Sequence, residues 1–397
     1  MKAAVFYGKG DIRVDEHYPM PAVEPESVLI QVKACGVCGT DVHIYGGAQG
    51  ATECNPPVIL GHEFSGVVTQ VGSAVTRVKV GDHVTVNPNI SCDACDQCRR
   101  GNPHFCDSMA ATGVNYDGGF AEYCAVLERQ VFKVPEGVPF EEAALCEPVA
   151  CALHGIDLCG IKPGDTVMII GGGTIGMMML QLARLSGAVR TVVLEPNEKR
   201  FELARKLGAD LVLNPLKDDV KAELNRSGFE DIRVTIECVG RPETVQYAIE
   251  YAGKAATAMI FGLTDPECAI PYYPFQAFKK ELTIKTSYVN PDTQGRAAAI
   301  IASGRLNLHD LISDRVALSD IGTAFLPGPR NGLPARPPQR QNGHFALSLS
   351  ILFLYFRFRH YSDFGLSSVL RTFQGTALPY LLQTFCLSTI AFFRFLW

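Results

Sequence analysis

The chain reads as an α/β protein of two domains, one of them built on a doubly wound parallel sheet. Three observations point there. Residues 166 to 176, TVMIIGGGTIG, run from an apolar strand into a Gly-x-Gly-x-x-Gly turn. MMMLQLARLSGA follows with helical spacing, and TVVLE then gives a second apolar strand ending in an acid. Length is the third: 397 residues exceed what a single core usually serves.

Composition narrows the function classes. With 47% hydrophobic and 19% charged residues the chain can bury sizeable cores and is not disordered throughout. A net charge of −5 offers no basic face for nucleic acid. The N-terminus, MKAAVFYGKGDIRVDE, is charged within a few residues and lacks the apolar run of a signal peptide, so a cytoplasmic location is expected. Fourteen cysteines in such a compartment suggest metal ligands and buried thiols rather than disulfides.

The N-terminal part carries short strands separated by Gly36, Gly39, Gly61, Gly66 and Gly72, which suit tight turns. Residues 92 to 106 read CDACDQCRRGNPHFC. Cys92, Cys95, Cys98 and Cys106 offer four soft thiolates on a polar loop containing Gly101 and Pro103. Ordinary buried thiols sit in apolar strands or helices, and these do not. Four protein donors close a zinc tetrahedron and leave no position for substrate, so this zinc is structural. The chemistry belongs elsewhere, at a metal with an open face. ACGVCGTDVHIYGG supplies Cys38, Thr40, Asp41 and His43; GHEF supplies His62 and Glu63; CEPVACALHG supplies Glu147. A Cys, a His and a carboxylate from distant segments can hold zinc with room for an alcohol. None persuades alone, since a His beside a Glu is more often a surface or cap pair.

GHEFSGVVTQVGSAV resembles the zinc signature of the medium-chain dehydrogenase/reductase superfamily, with Gly61, His62, Glu63, Gly66, Gly72 and Val75 in place. CGTDVHIYGG resembles the catalytic segment of its sorbitol and threonine dehydrogenase branch, and the four-cysteine lobe follows in the family's order. The resemblance covers residues 1 to 326. It implies a GroES-like β-rich catalytic domain at 1–153 with its zinc lobe at 92–106, a Rossmann domain at 154–289 and a return to the catalytic domain at 290–326. It further implies two zinc ions per chain, NAD, a small-molecule alcohol as substrate, and a homo-oligomer, dimer or tetramer. Carried over by position, Cys38 and His62 hold the catalytic zinc. Glu63 and Glu147 are the carboxylate candidates, with Cys146 one residue from Glu147. Thr40 and His43 form the proton relay; the competing reading of Thr40, as a cap of the short helix DVHIYGG, is weaker because the residue lies between two family motifs.

In the cofactor half, Gly171, Gly173 and Gly176, with Thr174 and Ile175 between them, let backbone approach a pyrophosphate at a helix N-terminus. Glu195 ends the second strand, where a carboxylate binds ribose hydroxyls and repels the extra phosphate of NADP; NAD is therefore expected. Arg200 lies close enough to join the cofactor residues, yet in NEKRFELARKLGA it reads first as one of several charges on a solvated helix face. ADLVLN, RVTIECVG, ATAMIFGL and ELTIKTSYV read as further strands covered on both faces. Met177, Met178 and Met179 read as packing residues, and Cys151, Cys159, Cys238 and Cys268 as inert thiols.

The assembled reading is zinc- and NAD-dependent oxidation of a secondary alcohol, a polyol such as sorbitol, with threonine or 2,3-butanediol as neighbouring substrates. A family member impaired in turnover is the competing class, because the C-terminus departs from the pattern. After Phe325 the chain is Pro/Arg-rich and then aromatic, and Asp363 is its only acid after Asp320. Arg357, Arg359 and Arg394 interrupt its apolar runs below the ~20 residues a membrane span needs. Residues 327–397 are read as frameshifted or read-through sequence without an ordered fold, and no membrane partner is expected.

Overall fold

A computed structural model describes residues 1–48, 53–325 and 350–353. Its N-terminal part is made of short strands, because apolar and polar residues alternate between glycine turns. β1 (Ala3–Gly8), β2 (Asp11–Asp15), β3 (Ser27–Val37) and the helix α1 (Gly39–Tyr45) lead into β4 (Val58–Ile59), β5 (Glu63–Val71) and β6 (His83–Val86). A small lobe follows, with β7 (Asn89–Ile90), α2 (Asp96–Arg99) and β8 (Ala110–Ala111); β9 (Tyr123–Leu127) and β10 (Val131–Lys133) come after it. β1 pairs antiparallel with β2 and β4. The larger sheet runs β10-β6-β5-β3, with β9 also on β3. Val28, Ile30, Val32, Phe64, Val84 and Phe120 fill the core these strands enclose. Gly61, just before His62, turns the chain at φ +90°, and a Cβ there would lie 2.6 Å from the Phe120 ring.

The second part opens with α3 (Phe140–Ala144) and α4 (Cys146–Cys159), the latter ended by Gly160 in the left-handed region at φ 66°. Six parallel strands then alternate with helices: β11 (Thr166–Ile170), α5 (Thr174–Leu185), β12 (Arg190–Leu194), α6 (Phe201–Lys206), β13 (Leu211–Leu213), α7 (Val220–Arg226), β14 (Val234–Glu237), α8 (Pro242–Tyr251), β15 (Thr257–Ile260), α9 (Pro274–Lys280) and β16 (Thr283–Thr286). Their order in the sheet is β13-β12-β11-β14-β15-β16. This is the doubly wound sheet expected from the sequence, and its order reverses between β11 and β14. Met177, Met178 and Met179 are at most 1% exposed and pack α5 into the core, as expected. β16 departs from the expectation of strands covered on both faces. All four of its residues are exposed at one edge of the sheet, whereas β13 at the opposite edge is largely buried.

The chain returns to the first part through α10 (Gln294–Ala302) and β17 (Arg315–Ala317). One further strand falls within the tail. β18 (Ser350–Phe353) lies between β3 and β17, parallel to the first and antiparallel to the second. The reason is an open edge. β9 covers β3 only from Ser27 to Gln31, so the backbone of Ala34–Val37 is left to pair with any extended segment, and β18 takes it. The rest of residues 327–397, and the expectation that they lack order, lie outside the described residues.

A steric test of the α5 turn follows. A Cβ on Gly176 would sit 1.8 Å from the Gly171 carbonyl oxygen, whereas one on Gly173 would meet nothing within 4 Å. Overpacking costs about 1–3 kcal/mol, and the better helix propensity of alanine returns at most ~1. Gly176→Ala is expected to lower unfolding free energy by about 1–2 kcal/mol in urea titrations. Gly173→Ala should stay within about 0.5 kcal/mol of the parent.

Candidate active site

The centre of the site is one contact between two segments far apart in sequence. Cys38 leaves β3 and caps α1, its sulfur accepting the Thr40 N–H at 3.2 Å. His62 precedes β5, which lies beside β3. The Cys38 sulfur and His62 Nε2 come within 3.0 Å. Thr40 is therefore not the helix cap; it stands in the first turn, with its backbone committed to Cys38.

Behind the pair lies Asp41, fully buried at 0% exposure. Its Oδ2 accepts the Cys38 N–H at 2.9 Å, its Oδ1 accepts the Gly61 N–H at 3.3 Å, and the same Oδ1 lies 3.5 Å from His62 Nδ1. A carboxylate on Nδ1 leaves Nε2 to face a metal, the arrangement common to metal-bound histidines. The sequence names Asp41 but assigns it no role. Its signal was the spacing: an acid three residues after a cap residue closes a capping box.

Glu63 and Glu147 lie within electrostatic reach of His62, though neither belongs to the group of Cys38, Asp41 and His62 whose donor atoms come together. Glu63 is 2% exposed, and its Oε2 has no hydrogen-bond partner. It lies so close to the Gly36 backbone that a Cβ there would sit 2.1 Å from Oε2. Burial, and then the charge of Glu147, push the Glu63 carboxyl well above its ordinary range. Burial also raises Glu147, while His62 opposes the shift. Burial pushes the Cys38 thiol up to about 11. Burial alone would lower His62, but Cys38 and Asp41 outweigh it and raise the imidazole well above its usual value. A thiol, an imidazole and buried acids that resist ionising together, with Glu63 Oε2 lacking a hydrogen-bond partner, are what a divalent cation would resolve. Cys38, Asp41 and His62 have donor atoms within 4.8 Å of one another. Asp41 spends both oxygens on backbone N–H groups, so it supports the pair from behind. Cys146 turns the other way: it is fully buried and its thiol points to the Gln294 carbonyl at 3.6 Å. Cys151, read from sequence as inert, instead donates to Glu147 Oε1 at 3.2 Å.

The four lobe cysteines meet as the sequence suggests. Cys92, Cys95, Cys98 and Cys106 bring their sulfurs within 4.8 Å of one another. Backbone N–H groups point at these sulfurs, from Cys92 and Ser108 to Cys106 and from Cys95 to Cys92, at 3.2–3.4 Å. Backbone N–H groups of Cys98 and Asp107 pull the Cys95 thiol down to about 6. Cys98 moves the opposite way, since desolvation and its sulfur neighbours disfavour a second negative charge. The cluster fits a closed S₄ zinc site.

In the parallel-sheet part, the turn between β11 and α5 carries the glycine motif. Gly171 takes φ 100°, and Gly173 faces open space where a pyrophosphate could approach the N–H groups of Thr174 and Ile175. Glu195, 3% exposed at the end of β12, accepts the Gly172 N–H at 2.9 Å and the Asn197 N–H at 2.7 Å. Arg200 corrects its sequence reading as a solvated charge. Its guanidinium reaches Glu195 Oε2 at 3.2 Å, because a short 3₁₀ turn after Asn197 folds it back over the strand end.

Comparison with known proteins agrees with this arrangement. The sequence model for the alcohol dehydrogenase GroES-like domain matches residues 24–136, and that for zinc-binding dehydrogenase matches residues 174–303. L-threonine 3-dehydrogenase of Pyrococcus abyssi is 36% identical over 319 residues, 79% of this chain and 90% of the relative. D-arabinitol dehydrogenase 1 of Uromyces fabae is 34% identical over 298 residues, 74% of this chain and 84% of the relative. Among solved structures, one described as a zinc-binding dehydrogenase from Sinorhizobium meliloti 1021 bound to NADP superposes with a TM-score of 0.79 at 35% identity, over 89% of this chain and 99% of the other. Two family models in this order, together with a relative 36% identical over most of both chains, make the chain a member of the zinc-dependent medium-chain dehydrogenase/reductase superfamily.

Proposed function

We propose that the chain oxidises a secondary alcohol to a ketone, with NAD as hydride acceptor and a polyol such as sorbitol as the favoured substrate class. The observation that carries the substrate class is the donor set. Glu147 is buried within electrostatic reach of His62 and Glu63, while the Cys146 thiol is turned to the Gln294 carbonyl, which supports carboxylates in the role that a second cysteine plays in the alcohol dehydrogenases of the superfamily. The arabinitol dehydrogenase relative supports this reading. The threonine dehydrogenase relative supports the alternative, threonine or 2,3-butanediol.

Cys38 and His62 hold the catalytic metal, with Glu147 and Glu63 as the carboxylate donors and Asp41 fixing the imidazole. A zinc ion held by these residues would supply Lewis-acid polarisation of the substrate oxygen, and NAD would supply the hydride acceptor. Thr40 and His43 lie three residues apart on α1 and so share a face of the helix. The Thr40 hydroxyl can accept and donate, and the His43 imidazole can take the proton on from it. Glu195 receives the ribose of NAD. Arg200 gives a second cofactor reading, because a guanidinium against Glu195 can also meet a 2′-phosphate.

The protein is a cytoplasmic homo-oligomer on this reading. The described cysteines are all unpaired, which suits a reducing compartment. No described helix is long and apolar enough to cross a membrane. The exposed strand β16, with Ile284 on it and Phe275 and Phe278 nearby on α9 at more than 70% exposure, is an edge that a second copy can cover.

The deciding experiment is a substrate panel of sorbitol and related polyols, threonine and 2,3-butanediol, each with NAD and NADP, followed by absorbance of the reduced nicotinamide. Polyol turnover with kcat/KM at least tenfold higher for NAD is expected. Threonine as best substrate moves the chain to the alternative, and equal or better use of NADP assigns Arg200 to phosphate recognition. Gly173→Ala should weaken dinucleotide binding in fluorescence titrations while leaving stability unchanged.

The two metal sites should respond differently to loss of a thiolate. Cys38→Ser is expected to abolish turnover with an unchanged melt and the lobe zinc retained. Cys98→Ser should lower zinc content and melting temperature, with modest loss of rate in the fraction that stays folded. Zinc per chain, melting curves and kcat on the same preparations check this. Identical behaviour of the two variants contradicts the division into an open and a closed site.

A further inference from the structure

One thiol in the metal pocket has no part in the chemistry derived so far. Cys151 follows Glu147 by four residues on α4, so the two side chains lie one above the other on the same helix face. The Cys151 sulfur is 3.2 Å from Glu147 Oε1. A metal-bound carboxylate is ionised and can only accept, so the bond runs from S–H to O. The helix presents both residues to the pocket, where Cys151 feels the charges of Glu147, Glu63 and Cys38. Cys146, one residue before Glu147, is held on the core side by the Gln294 carbonyl.

We infer that Cys151 is a positioning residue that restrains Glu147 through an S–H···Oε1 hydrogen bond and so leaves the other carboxylate oxygen for the catalytic metal. The inference rests on the reading of Glu147 as a donor to that metal. A glutamate has three rotatable side-chain bonds, and holding one oxygen removes much of that freedom before the metal arrives. Such supporting hydrogen bonds commonly set metal affinity by about 10–100-fold. A thiol is a weak donor, which puts the expected effect at the low end.

The test uses the full-length chain loaded with zinc, as parent and as Cys151→Ala, Cys151→Val and Cys151→Ser variants. Zinc remaining per chain is followed over time after addition of a chelator, with melting curves on each variant. The four-cysteine lobe serves as the internal reference. Val keeps the volume without a donor, and Ser restores the donor. The expected result is release of the catalytic zinc about tenfold faster from the Ala and Val variants, parent-like release from Ser, and unchanged lobe zinc in all. Parent-like release from Ala and Val overturns the inference. So does fast release from Ser, since that assigns Cys151 a packing role. Glu147→Gln separates this from the reading beneath it. If Glu147→Gln also releases zinc at the parent rate, Glu147 is not a donor and the inference falls with it. If Glu147→Gln releases zinc faster while Cys151→Ala does not, only the inference falls.

Discussion

Too much negative charge in one dry pocket is the constraint on which this structure turns. Asp41, Glu63 and Glu147, none more than 8% exposed, converge with the Cys38 sulfur on a single imidazole. Carboxylates buried this closely cannot all ionise without a counter-charge. The fold answers one of them with backbone: Asp41 takes N–H groups from Cys38 and Gly61. The others have no such answer, and Glu63 Oε2 is left without any hydrogen bond. A divalent cation is the economical solution, and it explains why acids tolerate positions that apolar side chains would otherwise fill. The lobe solves a similar problem by other means. It gathers four thiols on a polar loop and aims backbone N–H groups at their sulfurs, so that the closed site needs no surrounding core.

The two halves of the chain supply different kinds of rigidity to this pocket. Cys38 and His62 are held by the antiparallel pairing of β3 with β5, which sets Gly36 opposite Glu63. Glu147 comes from α4, which packs against the parallel-sheet part and belongs to its core. The pocket is therefore assembled across the junction of the two parts. The proposed cofactor crevice lies at the strand ends where the sheet order reverses, the usual place for a dinucleotide in such sheets.

Most of this was legible where chemistry is encoded locally. The four lobe cysteines lie within fifteen residues, and the glycine turn is read from one strand and one helix, so spacing alone reaches both. What spacing could not reach depended on direction. Glu147 and Cys146 are adjacent in sequence, yet a helix sends them to opposite sides, one to the pocket and one to the Gln294 carbonyl. Cys151 looked like any buried thiol until its helical phase with Glu147 was known. Arg200 looked solvated because a charged run has no signal for a 3₁₀ turn that folds one member back onto Glu195. β16 read as buried because a strand's own pattern does not say whether neighbouring elements cover its faces: β13 and β16 are both edge strands, and only β13 is largely buried.

The tail shows the same limit from the side of backbone pairing. Ser350–Phe353 carries no alternation that marks a strand, but strand formation there does not need one. The edge of β3 from Ala34 to Val37 is unpaired by β9, and its N–H and C=O groups accept any extended backbone. The location matters more than the sequence that fills it. Phe353 pairs opposite Val37, the residue immediately before Cys38, while Glu63 pairs opposite Gly36 from the other side. The backbone leading into Cys38 is thus held on both edges, by β5 and by β18. A strand with no chemistry of its own stands one residue from the sulfur on which the proposed catalysis depends, and its contribution is the hydrogen bonds that keep Val37 in the sheet.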